Sequence, residues 1–176
     1  MKRLLFLIVF TFAINAAISQ QVKEKLIVKL PEGSQLNSYS VKYNKQNGAF
    51  AYEHYDTTTK LAYMITSKGN SGNFSGVNAY NAYFDKDGNV YYTAFNTVQD
   101  TINTYSLMKN TEVLGTYQYI NDTWVEKNGT LYFATKTDGK TSLTMLELST
   151  GKMTIRNMDF PFVLLGIDLL FYYFTI

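Results

Sequence analysis

One pattern of polar and apolar positions occurs three times along the chain. Residues 45–55, 86–96 and 127–137 read KQNGAFAYEHY, KDGNVYYTAFN and KNGTLYFATKT. Each has a lysine, a polar turn ending in glycine, and then apolar and aromatic residues that alternate or abut. Alternation with a period of two puts one row of side chains on each face of a strand. Asn-Gly and Asp-Gly suit tight hairpins, because both central residues of such turns take positive φ. A second apolar segment follows at a similar offset: KLAYMIT (60–66), INTYSLM (102–108) and SLTMLEL (142–148). Between them lie the polar linkers DTTT (56–59), NTVQDT (96–101) and KTDGKT (136–141). VLGTYQYI (113–120) reads as a further strand, leading through Asn121 and Asp122 to Trp124 and Val125. Its upstream counterpart is GVNAYNAYF (76–84), and its downstream counterpart starts near Met153 in GKMTIRNM (151–158). No helical period is sustained between residues 21 and 160.

The turn glycines Gly48, Gly88 and Gly129 stand 40 and 41 residues apart. Four short antiparallel strands repeating at that interval are the signature of a β-propeller blade. One such unit cannot bury its own faces, so neighbours must stack. A sandwich or barrel with regularly spaced strands is the competing architecture. The shared order of turn, aromatic strand, polar loop and second strand favours the propeller. The expected fold is all-β: a partial β-propeller of about three four-stranded antiparallel blades over residues 21–158, preceded by a signal-peptide helix over residues 1–20.

The third unit, KNGTLYFATKTDGKTSLTMLELSTGKMT (127–154), resembles the repeat of TolB-type β-propellers. The matching positions are Asn128-Gly129, Leu131-Tyr132-Phe133, Asp138-Gly139, Leu146-Glu147-Leu148 and Thr150-Gly151-Lys152. The second unit keeps Asp87-Gly88, Val90-Tyr91-Tyr92 and Tyr105-Ser106-Leu107, and the first keeps Asn47-Gly48 and an aromatic strand. The family's Ser-Pro-Asp-Gly opening is missing from all three. The resemblance spans residues 40–158. It implies an exported repeat protein, periplasmic or at the cell surface, that works by binding.

The first twenty residues, MKRLLFLIVFTFAINAAISQ, have the build of a secretory signal peptide. Lys2 and Arg3 precede an apolar run from Leu4 to Ala13, and Ala16-Ala17-Ile18-Ser19 offers small residues for cleavage before Gln20 or Gln21. The run is short beside the ~20 residues that a membrane-spanning helix needs, so export with cleavage is favoured over anchoring. Lys2 and Arg3 account for two of the 16 basic residues, and the remainder matches the 14 acidic ones. A neutral mature chain offers no electrostatic footprint for nucleic acid. Cysteine is absent, which excludes disulfides and thiolate chemistry. Tyr (15) and Phe (12) are abundant and Pro (2) is scarce, which suits half-buried strands.

Residues 159–176 depart from the pattern. FPFVLLGIDLLFYYFTI (160–176) is almost wholly apolar. Three readings stay open: a membrane segment, an unfinished fourth blade, and an aberrant end from truncation or a shifted frame. Against the membrane segment stand Pro161, Asp168 and the lack of a basic flank. For the blade, 40 residues on from Asn128 lie Asp168 and then the aromatic run Leu170-Phe171-Tyr172-Tyr173. Propellers hold four to eight blades, so an incomplete ring exposes sheet faces and edges prone to self-association.

Candidate chemistry is sparse. His54, the only histidine, lies in YEHYD (52–56). On a strand Glu53 points away from it and only Asp56 shares its face, which is not a metal or acid–base set. DKDGN (85–89) opens like a calcium loop, but the twelfth position that needs a glutamate is Asn96. No catalytic set, metal site or cofactor is expected. Tyr91, Tyr92, Tyr132 and Phe133 are expected to pack between blades. Tyr55, Tyr80, Tyr83 and Trp124 lie nearer strand ends, where aromatic rings stack on sugar or peptide, and these four are the candidate ligand-binding residues. The expected function is an exported, non-catalytic binding or scaffold module, secreted, periplasmic or at the cell surface, with a protein or glycan ligand. The alternative is a propeller-based envelope hydrolase or lyase acting on glycan or peptide through carboxylates such as Glu53, Asp56 or Asp85. In a third reading residues 160–176 tether the chain to a membrane.

Overall fold

The computed structural model of the chain describes residues 34–35, 40–98 and 101–158. The leader expected over residues 1–20 and the apolar tail over 159–176 lie outside the described residues. Within them the protein is all-β: three antiparallel sheets, with helical geometry only at Ser40.

The first sheet holds β1 (Ser34–Gln35), β2 (Lys42–Tyr43), β3 (Phe50–Asp56), β4 (Leu61–Thr66) and β5 (Gly69–Asn70). β1 and β2 pair with one edge of β3, Ser34 opposite Asp56 and Lys42 opposite Ala51. They therefore act as two pieces of one first strand. The second sheet is a meander of β6 (Gly76–Phe84), β7 (Val90–Val98), β8 (Thr101–Lys109) and β9 (Glu112–Tyr117). The third repeats it with β10 (Tyr119–Lys127), β11 (Thr130–Thr137), β12 (Lys140–Glu147) and β13 (Met153–Asn157).

Alternation along the second strand of each sheet explains the stacking. On β7, Val90, Tyr92 and Ala94 point back to the first sheet and share a core with Ala51, Ala62 and Met64. Tyr91 points forward and joins Leu107, Ile120, Leu131 and Phe133 in a second core with the third sheet. The middle sheet is thus buried on both faces, and adjacent residues of the YY pair serve different cores. Tyr91 and Tyr92 do pack between sheets, as the sequence suggests. Burial of the fully enclosed Tyr92 pushes its hydroxyl up to about 12, and that hydroxyl donates to the Asn110 carbonyl at 2.7 Å.

Three sequence expectations need correction. VLGTYQYI (113–120) is not one strand. It breaks at Gln118, where the chain leaves β9 of the second sheet for β10 of the third. GVNAYNAYF is therefore the counterpart of β10, and β13 that of β9. Residues 96–98 are not linker, because β7 runs on to Val98, and most of 136–141 is paired strand around the Asp138-Gly139 turn. Finally, the repeated turn glycines share φ of 74°, 74° and 75° at Gly48, Gly88 and Gly129, but the turns differ. Only Asn128-Gly129 and Asp138-Gly139 have both central residues at positive φ. Asp87-Gly88 closes a three-residue loop, with the Gly88 N–H donating to the Asp85 carbonyl. Asn47-Gly48 ends a four-residue loop closed by Gly48 N–H to the Asn44 carbonyl. Loops of this length need positive φ only at their last residue, which is where the glycine sits.

Candidate functional site

The first strands of the second and third sheets are irregular at the same place, opposite Tyr91–Thr93 and Tyr132–Ala134. Between Asn78 and Tyr83 five steps along β6 face two along β7. Between Asn121 and Val125 four steps along β10 face two along β11. Bulges of this kind bend an edge strand and re-aim its side chains.

On β6 the bulge acts as a wedge between neighbours. Ala79, Ala82 and Phe84 pack into the core with the first sheet, and Tyr83 into the core with the third. The Asn81 N–H donates to the Asn78 side-chain oxygen at 3.3 Å, closing a local turn. The Asn81 carbonyl then accepts the indole N–H of Trp124 from β10. The Trp124 ring stands edge-on to Phe133, centroids 5.1 Å apart. Tyr83 lies 6.2 Å from the Tyr91 ring. Burial first, and then the charges of Glu126 and Asp85, hold the Tyr83 hydroxyl above its ordinary range.

Tyr80 is the residue this wedge turns outward, and it is 63 % exposed. The ammonium of Lys42, from β2, sits 4.7 Å from its ring centroid, a cation–π distance. β6 lies against both β2 and β10. Four of the six exposed large apolar side chains among the described residues, Val41, Tyr43, Tyr80 and Tyr119, lie on or beside these first strands. The three edges thus form one wall with exposed aromatic rings.

Of the four aromatic candidates, Tyr80, Tyr83 and Trp124 meet at the β6 bulge. Tyr55 packs from β3 against the core shared by the first two sheets. Sequence reasoning missed Lys42, Val41, Tyr43 and Tyr119. For Val41, Tyr43 and Tyr119 the signal would have been exposed apolar residues on edge strands, which local pattern does not separate from core.

The titratable candidates are engaged structurally. His54 is buried, with its ring 4.4 Å from that of Tyr63 and its Nδ1 without a hydrogen-bond partner. Asp56 accepts the N–H groups of Thr58 and Thr59 in its own turn, which lowers its carboxyl below the usual range, the Thr58 bond contributing most. Glu53 is half-buried, and desolvation raises its carboxyl above the usual range.

Asp85, in the calcium-like DKDGN stretch, is buried and enclosed by donors. Its carboxylate accepts from Asp87 N–H at 2.9 Å, Asn89 N–H at 2.8 Å, the Asn89 amide at 2.7 Å and the Tyr91 hydroxyl at 3.2 Å. The Asn89 side-chain oxygen in turn accepts from Lys68 at 2.7 Å and from Asn110 at 3.1 Å. The Asn47 amide donates to the Asp85 carbonyl at 3.1 Å. The stretch is therefore a polar lock between the turns of the first two sheets, with its oxygens already taken by N–H and O–H groups. No group of three or more metal-ligating side chains occurs among the described residues.

No protein-family model matches the chain, and neither a curated protein nor a solved structure matches it.

Proposed function

We propose that this protein is an exported β-propeller segment, related in pattern to the TolB-type repeats, that binds a ligand along the wall of its first strands and carries out no chemistry of its own. The observation that supports this most is the exposed Tyr80 ring, held out by a bulge that Trp124 and Lys42 brace from the neighbouring sheets. An edge strand with exposed aromatic side chains is an aggregation hazard unless it is used. Tyr80 offers a flat apolar face with an ammonium beside it. That chemistry suits a sugar ring or a peptide side chain carrying a nearby acceptor. Three stacked sheets of four or five strands with a 40-residue period support the blade reading. The leader pattern of residues 1–20 supports export.

The enzymatic reading draws no support from the carboxylates. Asp85 is consumed by its lock and Asp56 by its turn, which leaves Glu53 without a second carboxylate to share acid–base work.

The test is a titration of the chain with two panels, soluble glycans and unstructured peptides, followed by the fluorescence of Trp124, its sole tryptophan. A ligand from one panel is expected to shift the emission. Tyr80→Ala is expected to weaken that ligand about tenfold, or about 1.4 kcal/mol, without changing the melting temperature. Silence across both panels, or full affinity in Tyr80→Ala, would overturn the proposal.

A further inference from the structure

The edge strands of the three sheets differ in how they are closed to further pairing. An edge offers unpaired N–H and C=O groups, and proteins blunt it with short strands or bulges. β1, β2 and β5 hold two residues each. β6 and β10 carry the bulges described above. β9 shifts register between Val113 and Gly115, opposite Met108 and Leu107. β13 is the exception among the described residues. Its five residues pair with β12 without a break, from Met153 opposite Leu146 to Asn157 opposite Ser142. The bonds at its two ends fix which backbone groups face outward. The Glu147 N–H donates to the Lys152 carbonyl at 2.9 Å, and the Met158 N–H to the Thr141 carbonyl at 3.0 Å. Bonded and non-bonded pairs alternate along an antiparallel ladder. Thr154 and Arg156 therefore bond to β12, while Met153, Ile155 and Asn157 turn their N–H and C=O groups away from it. Thr154, Ile155, Arg156 and Asn157 are exposed.

We propose that β13 takes up an extended acidic segment of a partner protein as an added antiparallel strand. Charge selects this occupant. Lys152 and Arg156 are exposed, stand four residues apart and share a face with Thr154. Lys152–Asn157 contains no carboxylate. Glu147, across from Lys152, is turned to its own loop, where its carboxylate accepts from Thr150 at 2.8 Å and Ser149 at 3.4 Å. A second copy pairing antiparallel about Ile155 would crowd two Lys152 and two Arg156 onto one face, with nothing to offset them. A guest strand with two glutamates at the same spacing meets each cation directly across, where opposite charges attract and like charges repel. Between the glutamates it needs a small β-former facing Thr154 and apolar residues facing Ile155 and Met153. The pattern is Glu-Val-Thr-Val-Glu. β13 lies across its sheet from β10, so this site is separate from the wall of first strands.

The experiment follows the fluorescence anisotropy of a labelled Ser-Glu-Val-Thr-Val-Glu-Ser peptide titrated with the full chain. Saturable binding with a Kd below about 1 mM is expected. N-methylation of both valines removes the N–H groups that face β13 and should abolish binding. N-methylation of the threonine, whose N–H faces away, should not. Ile155→Pro removes one outward N–H and no bond to β12, so it should keep the melting temperature and lose the peptide. Arg156→Glu should weaken the peptide about tenfold, and Tyr80→Ala should leave its affinity unchanged. The methylated peptides probe the wild-type chain, so they decide the matter whether or not the proline variant folds. No binding up to about 1 mM, or equal binding by the valine-methylated peptide, would overturn the proposal. So would loss of the peptide in Tyr80→Ala, which would put it on the wall. So would a wild-type dimer that Ile155→Pro dissociates, which would put a second copy on the edge. Silence of the Tyr80 site toward its own ligand panels bears on none of these outcomes.

Discussion

Replacing Asp85 with alanine removes one carboxylate and four hydrogen bonds. The donors left behind are two backbone N–H groups, the Asn89 amide and the Tyr91 hydroxyl. They do not suffer equally. Tyr91 is fully buried, so its hydroxyl loses its partner with no water to replace it, at about 1–3 kcal/mol. The other three are partly buried and regain water, leaving a net loss of about 0.5–1.5 kcal/mol each. Since the Asn89 side chain also carries Lys68 and Asn110, part of the lock between sheets loosens with it. The expected cost is about 3–5 kcal/mol, in the range seen when one member of a buried charged network is removed. With a urea slope of about 2 kcal/mol per molar, the unfolding midpoint falls by about 1.5–2.5 M. Asp85→Asn separates geometry from charge. Its oxygen still accepts the two backbone N–H groups, but its amide meets the Asn89 amide head-on. Asn89 cannot turn over, because its oxygen is held by Lys68 and Asn110. Asp85→Asn should therefore lie between wild type and alanine. Urea unfolding followed by Trp124 fluorescence measures all three. An alanine variant within about 1 kcal/mol of wild type, or an asparagine variant as damaged as alanine, would refute the lock.

Two further substitutions test the packing. Burial raises the Glu53 carboxyl, so its ionised form works against the fold. A group whose folded pKa lies above its unfolded value, and whose charged form is the anion, lowers stability as pH rises through the unfolded value near 4.3. Glu53→Gln should therefore raise the melting temperature at pH 7 and leave it unchanged near pH 3.5, as read by melting curves at both pH values. Gly76 begins β6 under the Phe95 ring, where an added Cβ would stand 2.2 Å from the ring carbon Cζ. Gly76→Ala should push Phe95 off its neighbour Tyr105 and cost about 1–3 kcal/mol in urea unfolding, an overpacking penalty.

The repeat was legible because it depends on local chemistry. Gly48, Gly88 and Gly129 each take a φ near 75°, and period-two alternation survives in every second strand. The break at Gln118 was not legible. Tyr117, Gln118 and Tyr119 continue an alternating pattern, and only the packing of whole sheets decides that Tyr117 ends one and Tyr119 begins the next. The role of Asp85 was half-visible: DKDGN marks an oxygen-rich turn, but whether its oxygens meet a cation or N–H groups depends on Asn47, Lys68 and Asn110, which come from other turns. The ligand candidates divided for the same reason. Tyr55 and Tyr80 both sit in aromatic strand text, and tertiary packing alone leaves one half-buried against a core and the other exposed.

Parity explains why Tyr80 is the exposed one. Val77, before the bulge, and Ala79, at its start, face the first sheet. Unbroken alternation would send Tyr80 forward, towards the third sheet. The surplus on β6 is three residues, an odd number, so the phase reverses: from the end of the bulge onward Ala82 and Phe84 face the first sheet and Tyr83 the third. Tyr80 falls inside the reversal and belongs to neither face. On β10 the surplus is two, an even number, so Ile120 and Trp124 keep one phase across it and both join the core with the second sheet. An odd bulge thus releases an aromatic ring, while an even one keeps its aromatic ring packed and sends the indole N–H to brace the first. The turn between β2 and β3 sets Lys42 opposite Ala51, on the face that looks toward the second sheet. That is the phase Lys42 needs to reach Tyr80. A register defect that merely weakened an edge would have no reason to set these phases so that ammonium, phenol and indole converge on one turn of β6.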